Sequence, residues 1–286
     1  MHVSPAVKEA AASVAALRAA LRADRAAGLD ARSICLRASR SFETIVSGVW
    51  EAAGARLPAH DGDAFRDHVA LVSQGGFGRR EMAPFSDVDL TIIHRPEAAS
   101  LVPAVARRLL QDLYDAGVEV GQSVRTPAEA SALAATDATV LSALLDRRLL
   151  AGNAAVFAEV SAGIDALSCA DPIGAARRIV EERRREMARF GGTGTVLEPN
   201  VKRSAGALRD LHLARWLARL LHGAESAADL ATAGLLSAED VRGLSEAEEF
   251  LLGLRIDLHL AAGKAADELS RAEQVRIAEA RGIRGG

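Results

Sequence analysis

Aromatic side chains are scarce in this 286-residue chain, at 3%, with two Trp, one Tyr and seven Phe. The core must therefore be built mostly from Ala, Leu and Val, which leans the composition towards helix. Cysteine is nearly absent: Cys35 and Cys169 cannot form a disulfide framework. No apolar run approaches the ~20 residues that cross a bilayer. The opening MHVSPAVKEA lacks the basic and apolar regions of a secretory signal. The expectation is a cytoplasmic protein with no membrane partner. Lysine is confined to Lys8, Lys202 and Lys264, and the net charge is −3. That balance argues against a dedicated nucleic-acid binder, which carries a basic surface, but leaves room for a nucleotide site with a local positive patch. With 49% hydrophobic and 26% charged residues the chain is that of a folded globular protein.

What is present divides into three stretches. Apolar residues at three- and four-residue steps predict helices over 5–27 and 32–53, followed by a turn-rich loop, GARLPAHDG, over 54–62. Then HVALVSQ (68–74), DVDLTIIH (87–94) and VEVGQSVR (118–125) read as strands, with a loop containing a short helical turn over 76–86 and a helix over 97–116. Beyond Thr126 the pattern is helical, over 127 onwards, 138–150, 153–168, 172–190, 206–222, 237–262 and 269–281, broken by a structured loop between 190 and 210. The expected fold is α+β, a small mixed sheet with N-terminal helices (1–60), an α/β domain (61–152) and a C-terminal helical bundle (153–286).

The chemistry concentrates in GGFGRREMAPFSDVDL, residues 75–90. Asp87 and Asp89 lie two apart on a strand, so both point to one face with α-carbons ~6.6–6.8 Å apart. Paired carboxylates of this kind suit Mg²⁺, which takes one or two carboxylates and completes its shell with phosphate oxygens and water. Gly75, Gly76 and Gly78 make a turn whose backbone N–H groups a phosphate can approach. Arg79 could contact the same phosphates through its guanidinium fork, and Ser86 adds a hydroxyl. No Gly-Lys-Ser/Thr follows, so this is not a Walker loop. Asp61-x-Asp63 lacks the rest of a calcium loop. His94 is expected at the surface, His212, His222 and His259 as surface or packing residues, and Arg183-Arg184-Arg185 as a solvated helical face.

The segment resembles the nucleotidyltransferase superfamily typified by DNA polymerase β, whose signature is a glycine turn followed by Asp-x-Asp. Its specific form, with Gly-Arg, Glu81, Pro84 and Ser86, is similar to the N-terminal region of bacterial PII uridylyltransferases. EVGQSVRT (119–126), the Asp146-Arg147-Arg148 stretch and VLEPNVKRSAGALRD (196–210) continue the resemblance, which covers roughly 68–283. It implies that residues 61–152 form the nucleotidyltransferase domain. It further implies that Asp87 and Asp89 bind catalytic Mg²⁺ and that Gly75, Gly76, Gly78, Arg79 and Ser86 hold a nucleoside triphosphate. The implied reaction transfers UMP or AMP from UTP or ATP to a tyrosine of a small PII-type nitrogen-signalling protein, releasing pyrophosphate. It also implies a transferase part without the hydrolase and sensing parts of the longer family chain. Many superfamily members carry a third carboxylate on the third strand. Here Glu119 or Asp137 could supply it, depending on a register that sequence does not give. Ser204-Ala205-Gly206-Ala207 stands where the family has a glycine-rich turn. Glu198, Asn200 and Lys202 either line the cleft or brace this loop. An alternative reading is a nucleotide-binding regulatory module that has lost turnover.

Overall fold

The computed structural model describes residues 4–190, 192 and 194–283. Two compact units emerge. The first holds most of the chain up to Ala170; the second holds Asp171 onwards together with two short upstream pieces, Leu29–Ser33 and Ala83–Phe85.

The first unit opens with α1 (Pro5–Ala26). Ser4 caps it, its hydroxyl accepting from the Val7 N–H, and Pro5 occupies the first turn, where its missing N–H costs nothing. Val7, Ala10, Val14, Leu17 and Leu21 form its buried stripe. The helix α2 (Ala31–Gly54) buries Ile34, Phe42, Val46 and Trp50. The predicted loop over 54–62 is only partly a loop. Its second half starts α3 (Ala59–His68), directly after Pro58. Turn-forming Asp61 and Gly62 masked this helix, which is held by Phe65 packing on Trp50 with ring centroids 4.5 Å apart.

The mixed sheet that follows bears out the α+β expectation. It runs in the order β3-β2-β1-β4, with β1 (Val69–Ser73), β2 (Val88–His94), β3 (Val120–Arg125) and β4 (Arg148–Gly152). Both β2 and β4 pair antiparallel with β1, while β2 and β3 run parallel. A parallel pair needs a crossover, and α5 (Val102–Asp115) supplies it after a single 3₁₀ turn at Pro96–Ala98. Between β1 and β2 lies a one-turn helix, α4 (Gly75–Gly78). Beyond β3 come α6 (Pro127–Thr136), α7 (Ala138–Leu145) and α8 (Ala154–Ala170). The helix expected over 138–150 stops at Leu145, and β4 replaces its end. The Leu-Leu-Ala run suits either state; pairing with the otherwise open edge of β1 decides it. Gly152 closes β4 at φ +84°, where an added Cβ would strike the Val69 carbonyl. His94, expected at the surface, is buried at the end of β2, its Nδ1 2.9 Å from the Arg95 carbonyl oxygen.

The second unit is helical: α9 (Pro172–Arg189), α10 (Leu208–His222), α11 (Ala227–Thr232), α12 (Ala238–Ala262) and α13 (Arg271–Ala280). Val201, Leu254, Leu258 and Ile277 form one core cluster. Arg183 departs from the solvated face expected of the Arg run. Its side chain is 5% exposed, its Nε is 2.7 Å from Asp210 Oδ1, and its terminal nitrogens donate to the Arg203 and Ser204 carbonyls. Arg184 and Arg185 do face solvent. His259 is fully buried, and its Nδ1 accepts from the Phe85 N–H at 3.2 Å. Its Nε2 lies 3.4 Å from Asp267 Oδ1, which also binds Arg255 Nε at 2.8 Å. Among the described residues no helix is long and apolar enough to cross a membrane.

Candidate functional site

Burial alternates along β2. Val88 and Leu90 are buried, Asp87 is exposed and Asp89 half-buried, so the two carboxylates share one sheet face. The strand register opposes Asp89 to Gly121 of β3 and Thr91 to Ser123. Asp89 sits in a slot from which side chains are excluded. A Cβ on Gly75 would stand 3.0 Å from its Oδ2, and one on Gly121 would stand 2.7 Å from its Oδ1. Gly75 also needs its φ of +55°, a conformation that side chains resist. The Gln74 N–H donates to the Asp89 carbonyl at 3.1 Å, which ties the glycine turn to the strand.

The other glycines have separate reasons. A Cβ on Gly78 would collide with the Asp146 carbonyl, so this glycine permits α4 to lie against the end of α7. At Gly76 a Cβ would meet only Arg79 Nη2, at an ordinary 3.9 Å, so no packing demand explains that glycine. Ser86 is buried immediately before Asp87.

Arg79 is placed differently from the phosphate-facing side chain that spacing suggests. It is 9% exposed, with Nε 2.9 Å from Glu81 Oε2 and Nη1 paired with Asp146 Oδ2. Burial alone would lower its pKa, but the two carboxylates outweigh it and hold the guanidinium above its ordinary value, permanently charged. Its fork fastens the turn to the end of α7. A second brace comes from Glu43 on α2, whose carboxylate binds Arg80 Nε at 2.9 Å and Arg148 Nη2 at 2.6 Å. Arg148 also donates to the Phe77 carbonyl, and Arg80 sits at φ +62°, held there by this pairing.

The two candidates for a third carboxylate separate. Asp137 caps α7, its Oδ1 accepting from the Thr139 and Val140 N–H groups. Glu119 precedes β3, and its carbonyl accepts from the Val88 N–H at 2.8 Å. It is exposed between buried Val118 and Val120, and Val120 pairs with Val88. By alternation Glu119 shares the face of Asp87 and Asp89, and its charge also reaches Arg18 on α1. Among the described residues no three His, Cys, Asp or Glu side chains cluster as a metal site. Two carboxylates, one of them in a cradle that a Cβ would fill, still fit Mg²⁺, whose remaining ligands are phosphate oxygens and water.

Glycine 121, Glu43 and Arg148 escaped the sequence reading as site residues. A lone glycine inside a strand pattern signals a close approach and could have revealed Gly121; nothing local marks Glu43. In the second unit, Glu198 Oε1 accepts from the Arg271 N–H at 2.7 Å and Asn200 Oδ1 from the Lys202 and Arg203 N–H groups. Both side chains therefore brace that loop.

Comparison with known proteins agrees with this motif. Residues 175–286 match the family model of GlnD PII-uridylyltransferase. Three similar relatives are each named a bifunctional uridylyltransferase/uridylyl-removing enzyme. That of Aromatoleum aromaticum is 40% identical over 75% of this chain and 25% of its own length. That of Erythrobacter litoralis is 37% identical over 74% of this chain and 23% of its own. That of Vibrio atlanticus is 32% identical over 88% of this chain and 28% of its own. The chain thus spans about a quarter of the length of the curated relatives it matches. Residues 175–286 are thus similar to the GlnD PII-uridylyltransferase family model, and about three quarters or more of the chain is similar to part of the bifunctional uridylyltransferase/uridylyl-removing enzymes.

Proposed function

We propose that this chain is a Mg²⁺-dependent nucleotidyltransferase that moves UMP, or AMP, from the triphosphate to a tyrosine of a PII-type nitrogen-signalling protein. The observation that carries the reading is the pair Asp87 and Asp89 on one strand face, with Asp89 slotted between Gly75 and Gly121. The names of the matching relatives supply the uridylyl group, and the matched family's description supplies the PII acceptor. A nucleoside triphosphate donor implies a cytoplasmic setting.

Asp87 and Asp89 would hold the Mg²⁺, which supplies positive charge to the phosphate oxygens. The turn from Gly75 to Gly78 offers backbone N–H groups and, at Gly76, space free of a side chain. Ser86 adds its hydroxyl beside Asp87. Arg79 contributes through the shape of the turn and through its fixed charge. In the reaction the tyrosine oxygen forms a bond to the α-phosphorus, and the bond from that phosphorus to the bridging oxygen of pyrophosphate breaks. The tyrosine proton needs an acceptor. Glu119 is better suited than Asp137, whose carboxylate is used in capping α7.

Incubation with labelled UTP or ATP, Mg²⁺ and a PII-type protein tests the reading. Label on the acceptor is expected. Asp87→Asn and Asp89→Asn should each reduce it by about 10²-fold or more, as loss of a group that stabilises transition-state charge does. Nucleotide binding without incorporation would instead identify a binding module without turnover. Unchanged incorporation in both variants would remove the metal role.

A further inference from the structure

Arg80 breaks the usual rule for the end of a helix. The Glu81 N–H donates to the Gly76 carbonyl at 2.9 Å and the Arg80 N–H to the Phe77 carbonyl at 3.2 Å, the pairing of a Schellman motif closing α4. The left-handed residue of that motif is usually glycine, because side chains resist the conformation. Here it is Arg80, at φ +62°, the one non-glycine at positive φ among the described residues. Its side chain holds it there. Glu43 Oε1 accepts from Arg80 Nε at 2.9 Å and Oε2 from Nη2 at 3.4 Å. Glu43 Oε1 also accepts from Arg148 Nη2 at 2.6 Å. Arg148 in turn donates from Nη2 to the Phe77 carbonyl at 3.2 Å and from Nε to the Gly78 carbonyl at 3.4 Å. One turn earlier on α2, Ser39 Oγ accepts from the Met82 N–H at 3.3 Å. Burial lowers the pKa of Arg148, Glu43 opposes that fall and Arg80 adds to it. The two guanidiniums therefore repel each other, and the carboxylate between them keeps them together.

We propose that Glu43 is a positioning residue for nucleotidyl transfer: by holding Arg80 left-handed, and Arg148 on the α4 carbonyls, it sets the wall of the slot that seats Asp89. This rests on the transfer reading above. The path is short. Helix α4 begins at Gly75, where a Cβ would stand only 3.0 Å from Asp89 Oδ2. The Gln74 N–H just before it donates to the Asp89 carbonyl at 3.1 Å. Glu43 thus acts at a distance, through two arginines and one turn of helix. A strained residue beside a functional site persists only where its surroundings over-determine it. Without the carboxylate, Arg80 relaxes away from the left-handed state. Gly75 moves with the turn, and the seat of Asp89 loosens.

Label transfer at varied Mg²⁺ concentration, beside urea denaturation without Mg²⁺, tests this in the full chain. A loss of folded protein lowers the maximal rate but not the Mg²⁺ concentration that gives half of it, so that concentration reports the seat of Asp89. Glu43→Gln should raise it about tenfold, the lower end of what supporting contacts around a metal site are worth. Arg80→Ala keeps the Cβ, loses the pairing and should raise it by a similar factor. Arg80→Gly needs no holding and should raise it by less than about threefold. Adding Arg80→Gly to Glu43→Gln should recover most of the loss. In urea, Glu43→Gln should lower the midpoint more when made alone than when made on top of Arg80→Gly. An unmoved Mg²⁺ requirement in Glu43→Gln, equal behaviour of Arg80→Ala and Arg80→Gly, or urea shifts that simply add would overturn the positioning role and leave nucleotidyl transfer standing. No transfer by the unaltered chain would overturn the transfer reading and this proposal with it.

Discussion

Replacing Gly121 by alanine adds one methyl group and nothing else, at a position whose backbone alanine adopts without strain. That methyl would stand 2.7 Å from Asp89 Oδ1, where ordinary contact begins at 3.4 Å. The difference, about 0.7 Å, falls on the carboxylate, because Gly121 is pinned by the parallel ladder with β2. A misplacement of about 1 Å in reacting geometry can cost about 10²-fold in rate. A shift of this size should therefore lower label transfer by roughly 10- to 10²-fold. Stability should move little or rise, since alanine in a strand is favoured over glycine by about 0.5–1 kcal/mol, which offsets part of the crowding. The assay is initial-rate label transfer beside a thermal melt of the same preparation. Full activity with an unchanged melt would refute the slot around Asp89. Loss of activity together with unfolding would show that Gly121 serves the sheet instead. Gly75→Ala provides the contrast: its φ of +55° adds backbone strain of about 1–2 kcal/mol, so both rate and melting temperature should fall.

Three further outcomes follow from buried charge. Arg79→Lys keeps the charge but loses the fork that spans Glu81 and Asp146; urea denaturation should show a loss of about 1–3 kcal/mol, and no loss would sink the bracing role. Arg183→Ala removes one of the donors to Asp210 and the guanidinium donors to the Arg203 and Ser204 carbonyls, and should cost about 1–3 kcal/mol; a surface-like change near zero would show that the contacts carry no weight. Burial holds the pKa of His259 below its ordinary 6.5, so the unfolded chain binds more protons than the folded one just below that value. Its contribution to stability is complete above about pH 6.5 and is lost as pH falls towards the depressed folded value. Urea midpoints between pH 7.5 and pH 5 should decline, and His259→Gln should flatten that slope; an unaltered slope would place the proton uptake elsewhere.

The parts of the molecule that obey a local period were legible in the sequence. The three strands that carry and flank Asp87 and Asp89, and α1 with its Ser4-Pro5 start, follow apolar spacing and capping chemistry alone. What escaped depends on a distant partner. The strand β4 exists because β1 offers it an edge, and α3 is held by Phe65 against Trp50. Arg183 looks like its neighbours Arg184 and Arg185 until the Arg203 and Ser204 carbonyls arrive twenty residues later to receive it. At the site, the spacing of Asp87 and Asp89 gave their common face, but the role of Arg79 turned on Glu81 and Asp146, one of them 67 residues away. The open register of Glu119 was answered only by the Val88–Val120 pairing.

The assignment of Leu29–Ser33 and Ala83–Phe85 to the second unit bears on how this protein can be dissected. A fragment ending at Ala170 would hold the whole four-stranded sheet with Asp87 and Asp89. It would nevertheless carry Arg32 without Glu248, and the Phe85 amide without the His259 ring that accepts from it. The complementary fragment would begin with the acceptors and lack the donors. Neither half is a contiguous stretch of sequence, so limited proteolysis near residue 170 should give two pieces that co-purify, and expression of either piece alone should yield a less stable product than the two expressed together.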